Sequence, residues 1–113
     1  MDELTVNRVL AHPLIMRTST NNVRGVYSVR LGALRTEILI LVNRSTKRPG
    51  RYNFKISHAI KTPLQGSACR TVKRGNRAEA HALRHALSNL IRHYRQATGA
   101  GLPPGEHWLV WQP

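Results

Sequence analysis

The stretch NRAEAHALRHALSNLIRHY, residues 76–94, decides how this chain folds. Ala80, Leu83, Leu87, Leu90, Ile91 and Tyr94 recur at helical spacing and share one face, so the segment reads as an amphipathic helix. Asn76 stands where a side chain can cap the first turn, and Glu79, three residues on, completes a capping-box-like pair. Gly99 is a natural stop, and Pro103-Pro104 exclude continuation. An apolar stripe of this width needs a surface to cover it, and the residues ahead of it supply a sheet.

Upstream the period changes to two. Arg51-Tyr-Asn-Phe-Lys-Ile-Ser57 is the cleanest strand: Tyr52, Phe54 and Ile56 point one way, Arg51, Asn53, Lys55 and Ser57 the other. Tyr27, Val29 and Leu31 alternate likewise with Ser28 and Arg30. Between these strands Ile38 to Val42 is continuously apolar, which predicts a central strand covered on both faces or set against an oligomer contact. Asn43 to Gly50 (NRSTKRPG) is a turn-rich connection closed by Pro49-Gly50. Pro63 and Gly66 break the chain, and Cys69 to Lys73 has room for a short further strand. Residues 2–16 admit two readings: a short helix capped by Asp2 and ended by Pro13, or a strand through Leu14-Ile15-Met16. The apolar tail Trp108-Leu-Val-Trp111 is suited to packing on the sheet or the helix. The expected fold is α+β: a three- to four-stranded antiparallel sheet on one long C-terminal amphipathic helix. It forms a single domain over 1–113, with its core in 23–97 and a packing tail in 98–113.

Charge sets the class of partner. The 113 residues carry 18 Lys and Arg against 5 Asp and Glu, a formal charge of +13. No acidic residue lies between Glu37 and Glu79, whereas that interval holds Arg44, Lys47, Arg48, Arg51, Lys55, Lys61, Arg70, Lys73, Arg74 and Arg77. A compact body so charged repels itself unless an anion offsets the charge, and nucleic acid is the commonest such anion. The apolar fraction, 41%, is near the globular average, so the charge sits on a folded body rather than a basic tail. Arg dominates over Lys, and its planar fork suits phosphate and guanine edges. The single cysteine, Cys69, excludes an internal disulfide framework and a Cys-based zinc finger. No apolar run approaches membrane-spanning length, and the reading is a soluble cytoplasmic protein.

Three places gather the cations. The loop from Arg44 to Arg51, with Lys47 and Arg48, forms a phosphate clamp. Arg70, Lys73, Arg74 and Arg77 lead into the helix start, where free backbone N–H groups and the dipole favour phosphate. Arg77, His81, Arg84, His85, Ser88, Arg92 and Arg95 form an outer helix face with only Glu79 to balance it. Arg30, Arg51 and Lys55 add a polar sheet face facing away from the helix. His81 and His85 have chelating spacing, but a metal needs a third ligand; no metal or cofactor is expected. Two-metal nuclease chemistry needs clustered carboxylates, which five scattered acids do not make. His58, flanked by Lys55 and Lys61, is the local candidate for a metal-independent ribonuclease toxin. It shares the inward parity of Tyr52, Phe54 and Ile56, so a part-buried structural role is the stronger expectation.

The segments Gly25-Val-Tyr-Ser-Val-Arg30 and Arg70-Thr-Val-Lys-Arg-Gly-Asn-Arg-Ala-Glu-Ala-His-Ala-Leu-Arg-His-Ala-Leu87 resemble the three-strands-then-helix DNA-binding domains of ethylene-response factors and the arm-binding domains of phage integrases. The resemblance covers roughly residues 25–97 and implies a sheet in the major groove, with Arg30, Arg51, Lys55, Arg70 and Lys73 facing DNA. The element order is similar, second, to the double-stranded-RNA-binding domain. The expectation is a non-enzymatic nucleic-acid-binding protein, with duplex DNA favoured over RNA. The alternative is a small effector of phage or mobile-element type that docks on an acidic protein or a nucleic-acid enzyme. Trp108–Trp111 and Ile38–Val42 would then supply a sticky surface or a homodimer seam.

Overall fold

The computed structural model describes residues 4–18, 25–68 and 75–112. The architecture is α+β. A short helix α1 (Val6–Leu10) precedes four strands, β1 (Ile15–Arg17), β2 (Val26–Leu31), β3 (Ile38–Arg44) and β4 (Tyr52–Ile56). These pair antiparallel in sequence order as one meander. Strand β5 (His58–Ile60), the long helix α2 (Glu79–Gly99), a 3₁₀ turn (Glu106–Trp108) and β6 (Leu109–Trp111) complete the chain, with β5 and β6 paired in a second, two-stranded sheet.

Both readings of the N-terminal region are realised in succession. Thr5 rather than Asp2 caps α1, its hydroxyl accepting from Arg8 N–H at 3.2 Å, and β1 then follows Pro13. The sheet therefore gains its fourth strand ahead of β2. The short strand expected over Cys69–Lys73 lies outside the described residues.

Helix α2 lays its apolar stripe on one sheet face. Leu83, Leu87, Leu90 and Tyr94 are buried, and Ala82, Ala86 and Ala97 let the backbone come close. They meet Val29, Leu31, Ile38, Ile40, Val42 and Phe54 from the strands in one cluster. Each fully buried Leu or Ile contributes about 2 kcal/mol of transfer free energy, so this interface holds the fold together. The core also takes Val9, Leu10 and Ile15 from the N-terminal side and Trp108 from the C-terminal side, beyond the expected 23–97. Trp108 is 1% exposed and meets the Tyr94 ring edge-on, with centroids 5.9 Å apart.

Two local expectations are corrected. Asn76 does not cap α2. The N-cap is Ala78, without a side-chain bond, because Asn76 is drawn into a backbone bridge with Tyr52. Glu79 consequently has no Asn76 cap to reciprocate and instead accepts the Tyr27 hydroxyl at 2.5 Å. Of the two alternatives for the apolar run of β3, cover on both faces is not found among the described residues: Ile38 and Ile40 are fully buried, whereas Leu39 is 43% exposed. Both helices pack on the same side, so the second face has no cover among the described residues.

Ser57 joins the two sheets. Its N–H donates to Leu39 C=O at 2.9 Å, its hydroxyl accepts from Leu39 N–H at 2.9 Å, and its carbonyl accepts from Gln112 N–H at 2.8 Å. One serine thus closes the β3–β4 ladder and opens the β5–β6 pair.

Candidate nucleic-acid interface

The hairpin between β3 and β4 has a defined backbone. Ser45 N–H donates to Arg51 C=O at 2.8 Å, Arg51 N–H to Arg48 C=O at 3.2 Å, and Arg48 N–H to the Ser45 hydroxyl at 3.1 Å. These bonds satisfy the turn from within and turn its charged side chains outward. Arg44, Lys47 and Arg48 are exposed. Arg51 is half-buried because its stem runs along Gly75, where an added Cβ would come within 3.2 Å of Arg51 Cβ.

The same end of the sheet receives the start of α2. Tyr52 N–H donates to Asn76 C=O at 2.7 Å and Asn76 N–H returns to Tyr52 C=O at 2.9 Å. Tyr52 is paired on its other side with Arg44. Arg44, Tyr52 and Asn76 therefore stand abreast on three neighbouring segments, and exposed Arg77 follows at once. A groove of about 300 Å³, lined by Asn76, His81, Arg84, His85 and Ser88, continues from there along α2. Its wall is fixed by the His85 ring, which meets Phe54 edge-on at 5.3 Å between centroids.

The expected cations divide into two groups. Arg44, Lys47, Arg48, Arg51 and Arg77 converge at the hairpin end, with Arg84 along the adjoining groove. Arg30 and Lys55 are exposed on the sheet face away from the helices and stand apart from each other. Arg30 is opposite Met16 on the far strand pair, and Lys55 is opposite Leu41, itself opposite Val26. Between them the face is largely apolar, with Met16 61% and Leu39 43% exposed. The continuous cationic sheet face expected from alternation is thus not formed. Ser28 is buried under Glu37, Ser57 is turned into the sheet junction, and Arg51 lies along Gly75. Near the hairpin, where Asn43 pairs with Asn53, that face is polar. Arg70, Lys73 and Arg74 lie outside the described residues.

The carboxylates explain why so much charge stays uncompensated. Glu37 accepts from the Ser28 and Thr18 hydroxyls, the latter at 2.7 Å. Glu79 accepts from Tyr27. Glu106 accepts from Arg35 N–H at 2.8 Å, Thr36 N–H at 2.7 Å and the Thr36 hydroxyl at 2.7 Å. All three described carboxylates are thus held by hydroxyl and backbone donors rather than by a Lys or Arg side chain. The Ser28 and Thr18 hydroxyls, with help from the nearby Arg30 charge, lower the Glu37 pKa. Thr36, the two backbone N–H groups and Arg35 do the same for Glu106. No carboxylate among the described residues is placed to neutralise the hairpin.

His58 packs at the junction of the two sheets. It is half-buried, Nδ1 lies 2.7 Å from the Ser57 hydroxyl, and its ring meets Trp111 edge-on at 5.4 Å between centroids. Burial lowers its pKa. Among the described residues no three His, Cys, Asp or Glu side chains are grouped to hold a metal, and no helix is long and apolar enough to cross a membrane. The alignment of Asn76 against Tyr52 is what sequence pattern misses. A short backbone bridge leaves no periodicity, and the only signal is the break at Gly75 before the helical repeat. No family model, curated protein or solved structure matches the chain.

Proposed function

We propose that this protein binds nucleic acid without acting on it chemically, and that it grips duplex DNA at the hairpin end of the sheet. Arg44, Lys47, Arg48, Arg51 and Arg77 engage the backbone, Arg84 extends the contact along α2, and Lys55 flanks it. The carrying observation is the disposition of carboxylates: the three described ones are tied to hydroxyl and backbone donors, and none of these three stands beside the hairpin cations. Phosphate supplies the missing charge, and counterion release drives the association.

The shape favours DNA over RNA. A two-stranded antiparallel ribbon fits the B-form major groove, roughly 12 Å wide, whereas the A-form major groove is too deep and narrow for side chains to read. The order of β2, β3 and β4 followed by α2 is that of the DNA-binding domains the sequence resembles, although here the hairpin, rather than the open face, carries the charge. Arg30, on β2, is peripheral to the contact.

Fluorescence anisotropy with a labelled duplex across a salt series tests this reading. Binding should weaken steeply with salt, with a log–log slope of about −0.9 per neutralised phosphate, and should exceed binding to duplex RNA. Absence of duplex DNA binding at low salt, or a preference for RNA, overturns the proposal.

A further inference from the structure

A second surface, between α1 and α2, has a different chemistry. The two helices enclose an open cleft of about 630 Å³. Val9, Leu87 and Ile91 line it with apolar surface, while Arg84, Arg92 and Arg95 stand exposed along α2 at its side. No carboxylate among the described residues lines it. Among the described residues Arg92 bonds to its helix neighbours Asn89, at 3.1 Å, and His93. Along α2 the lining runs from Arg84 to Gln96, roughly 18 Å at about 1.5 Å per residue.

We propose that this cleft is a docking groove for an acidic amphipathic helix of a partner protein. An apolar floor beside a row of cations asks for a ligand that is apolar on one side and anionic at its margins. A nucleic-acid backbone meets the second demand and leaves the floor unfilled. A helix of about three turns meets both, with apolar anchors at i, i+3, i+4 and i+7 and Glu or Asp beside them, and its length matches the groove. A second copy of the chain is a poor occupant. Of its two helices α1 carries no acid and α2 carries only Glu79 against Arg84, Arg92 and Arg95, so like charges would meet. The groove is separate from the hairpin, sharing only Arg84 and Ser88 with the smaller groove beyond it, so the protein has room for DNA and a protein partner at once.

The probe is a fluorescein-labelled 14-residue helical peptide with Leu along one face and Glu flanking it. Its controls are a peptide of the same composition with the Leu face scattered and a Lys-for-Glu version. At physiological salt the chain should bind the first at least about 10-fold more tightly than either control. Arg92→Glu combined with Arg95→Glu should weaken it by at least about 10-fold. Both positions are exposed, so the fold should survive, as circular dichroism will show. Amide chemical-shift changes on peptide addition should centre on Val9, His12 and Ile91 and spare residues 44–51. Lys47→Glu with Arg48→Glu should leave peptide affinity unchanged, whatever it does to DNA. Equal affinity for the scattered control, no loss in the double-arginine variant, or shifts centred on the hairpin overturns the groove without bearing on the DNA proposal; displacement of the peptide by duplex DNA overturns the groove and also the confinement of DNA to the hairpin end.

Discussion

The two ends of the four-stranded sheet are built from the same kinds of residue and reach opposite outcomes. At the turn end, between β2 and β3, Arg35 and Thr36 are clasped by Glu106, Glu37 is held by two hydroxyls, and the Tyr94 hydroxyl accepts from Ala33 N–H at 2.9 Å. At the hairpin end the turn is closed by its own backbone, and its cations face solvent with no described carboxylate beside them. One end uses its polar groups to fix the fold, and the other keeps them available. Substitutions at the turn end should therefore act on stability, and substitutions at the hairpin on binding.

A pair of glycines sets the largest contrast. Gly32, at the turn end, has φ +53, and an added Cβ would fall on the Tyr94 ring. Gly50, in the hairpin, has φ +77 with nothing within 4 Å of an added Cβ. Gly32→Ala combines left-handed backbone strain with overpacking and should cost about 3 kcal/mol. Gly50→Ala carries the backbone strain alone and should cost about 1 kcal/mol. Urea unfolding of both variants measures the difference, and equal losses would erase the contrast.

Charge reversal probes the same contrast from the binding side. Lys47→Glu with Arg48→Glu should lower duplex affinity about 100-fold at low salt, equivalent to about 2.7 kcal/mol, and flatten the salt slope by about two phosphates' worth. Arg35→Glu at the turn end makes a like-signed change beside an existing carboxylate and should move affinity less than about threefold. Anisotropy titrations of the two variants compare them directly, and equal losses would mean that overall charge, not the hairpin, holds DNA.

Below these in size comes the Glu106 clasp. Glu106→Ala frees two backbone N–H groups and a hydroxyl at an exposed site where water can replace the carboxylate, so the cost should be about 1 kcal/mol. Duplex affinity should stay within about twofold, which separates anchoring of the turn from the proposed binding surface.

The fold was legible wherever burial writes a period. The stripe of α2 and the alternation in β2 and β4 follow directly from which side chains must leave water, and each element stands where the pattern puts it. Errors arose where one short contact outweighs the pattern. Asn76 has the chemistry of a cap, yet its backbone pairs with Tyr52, and nothing local in the sequence records a partner 24 residues away. The run from Ile38 to Val42 reads as doubly covered or set against an oligomer contact because hydropathy reports the preference of a side chain, not which element covers it. Ser28 has the parity of an open-face residue and is buried because Glu37, from the next strand's start, folds over it. The cations of the site were all visible in the sequence. Their division into a hairpin group and isolated Arg30 and Lys55 was not, since it depends on strand order and register.

The smallest expected effect lies in the pH dependence of stability, which is set by groups away from the hairpin. His12, His58 and His93 have lowered pKa values, chiefly through burial, with Arg95 adding to the shift at His12 and Arg92 at His93. A lowered histidine pKa means the folded state binds a proton less readily than the unfolded chain. Stability is then fully present above about pH 6.5, the ordinary histidine value, and declines as pH falls from there toward the lowered folded values. Glu37 and Glu106 act in the same direction at lower pH: their contribution is present above about pH 4.5 and is lost as pH falls through their lowered folded values. The urea midpoint should therefore fall in two stages on acidification. Glu106→Ala should remove part of the second, carboxylate stage and leave the histidine stage intact, and His58→Gln should do the reverse. A midpoint that is flat between pH 7 and 5.5, or that rises, would show that the histidines are not held neutral by burial.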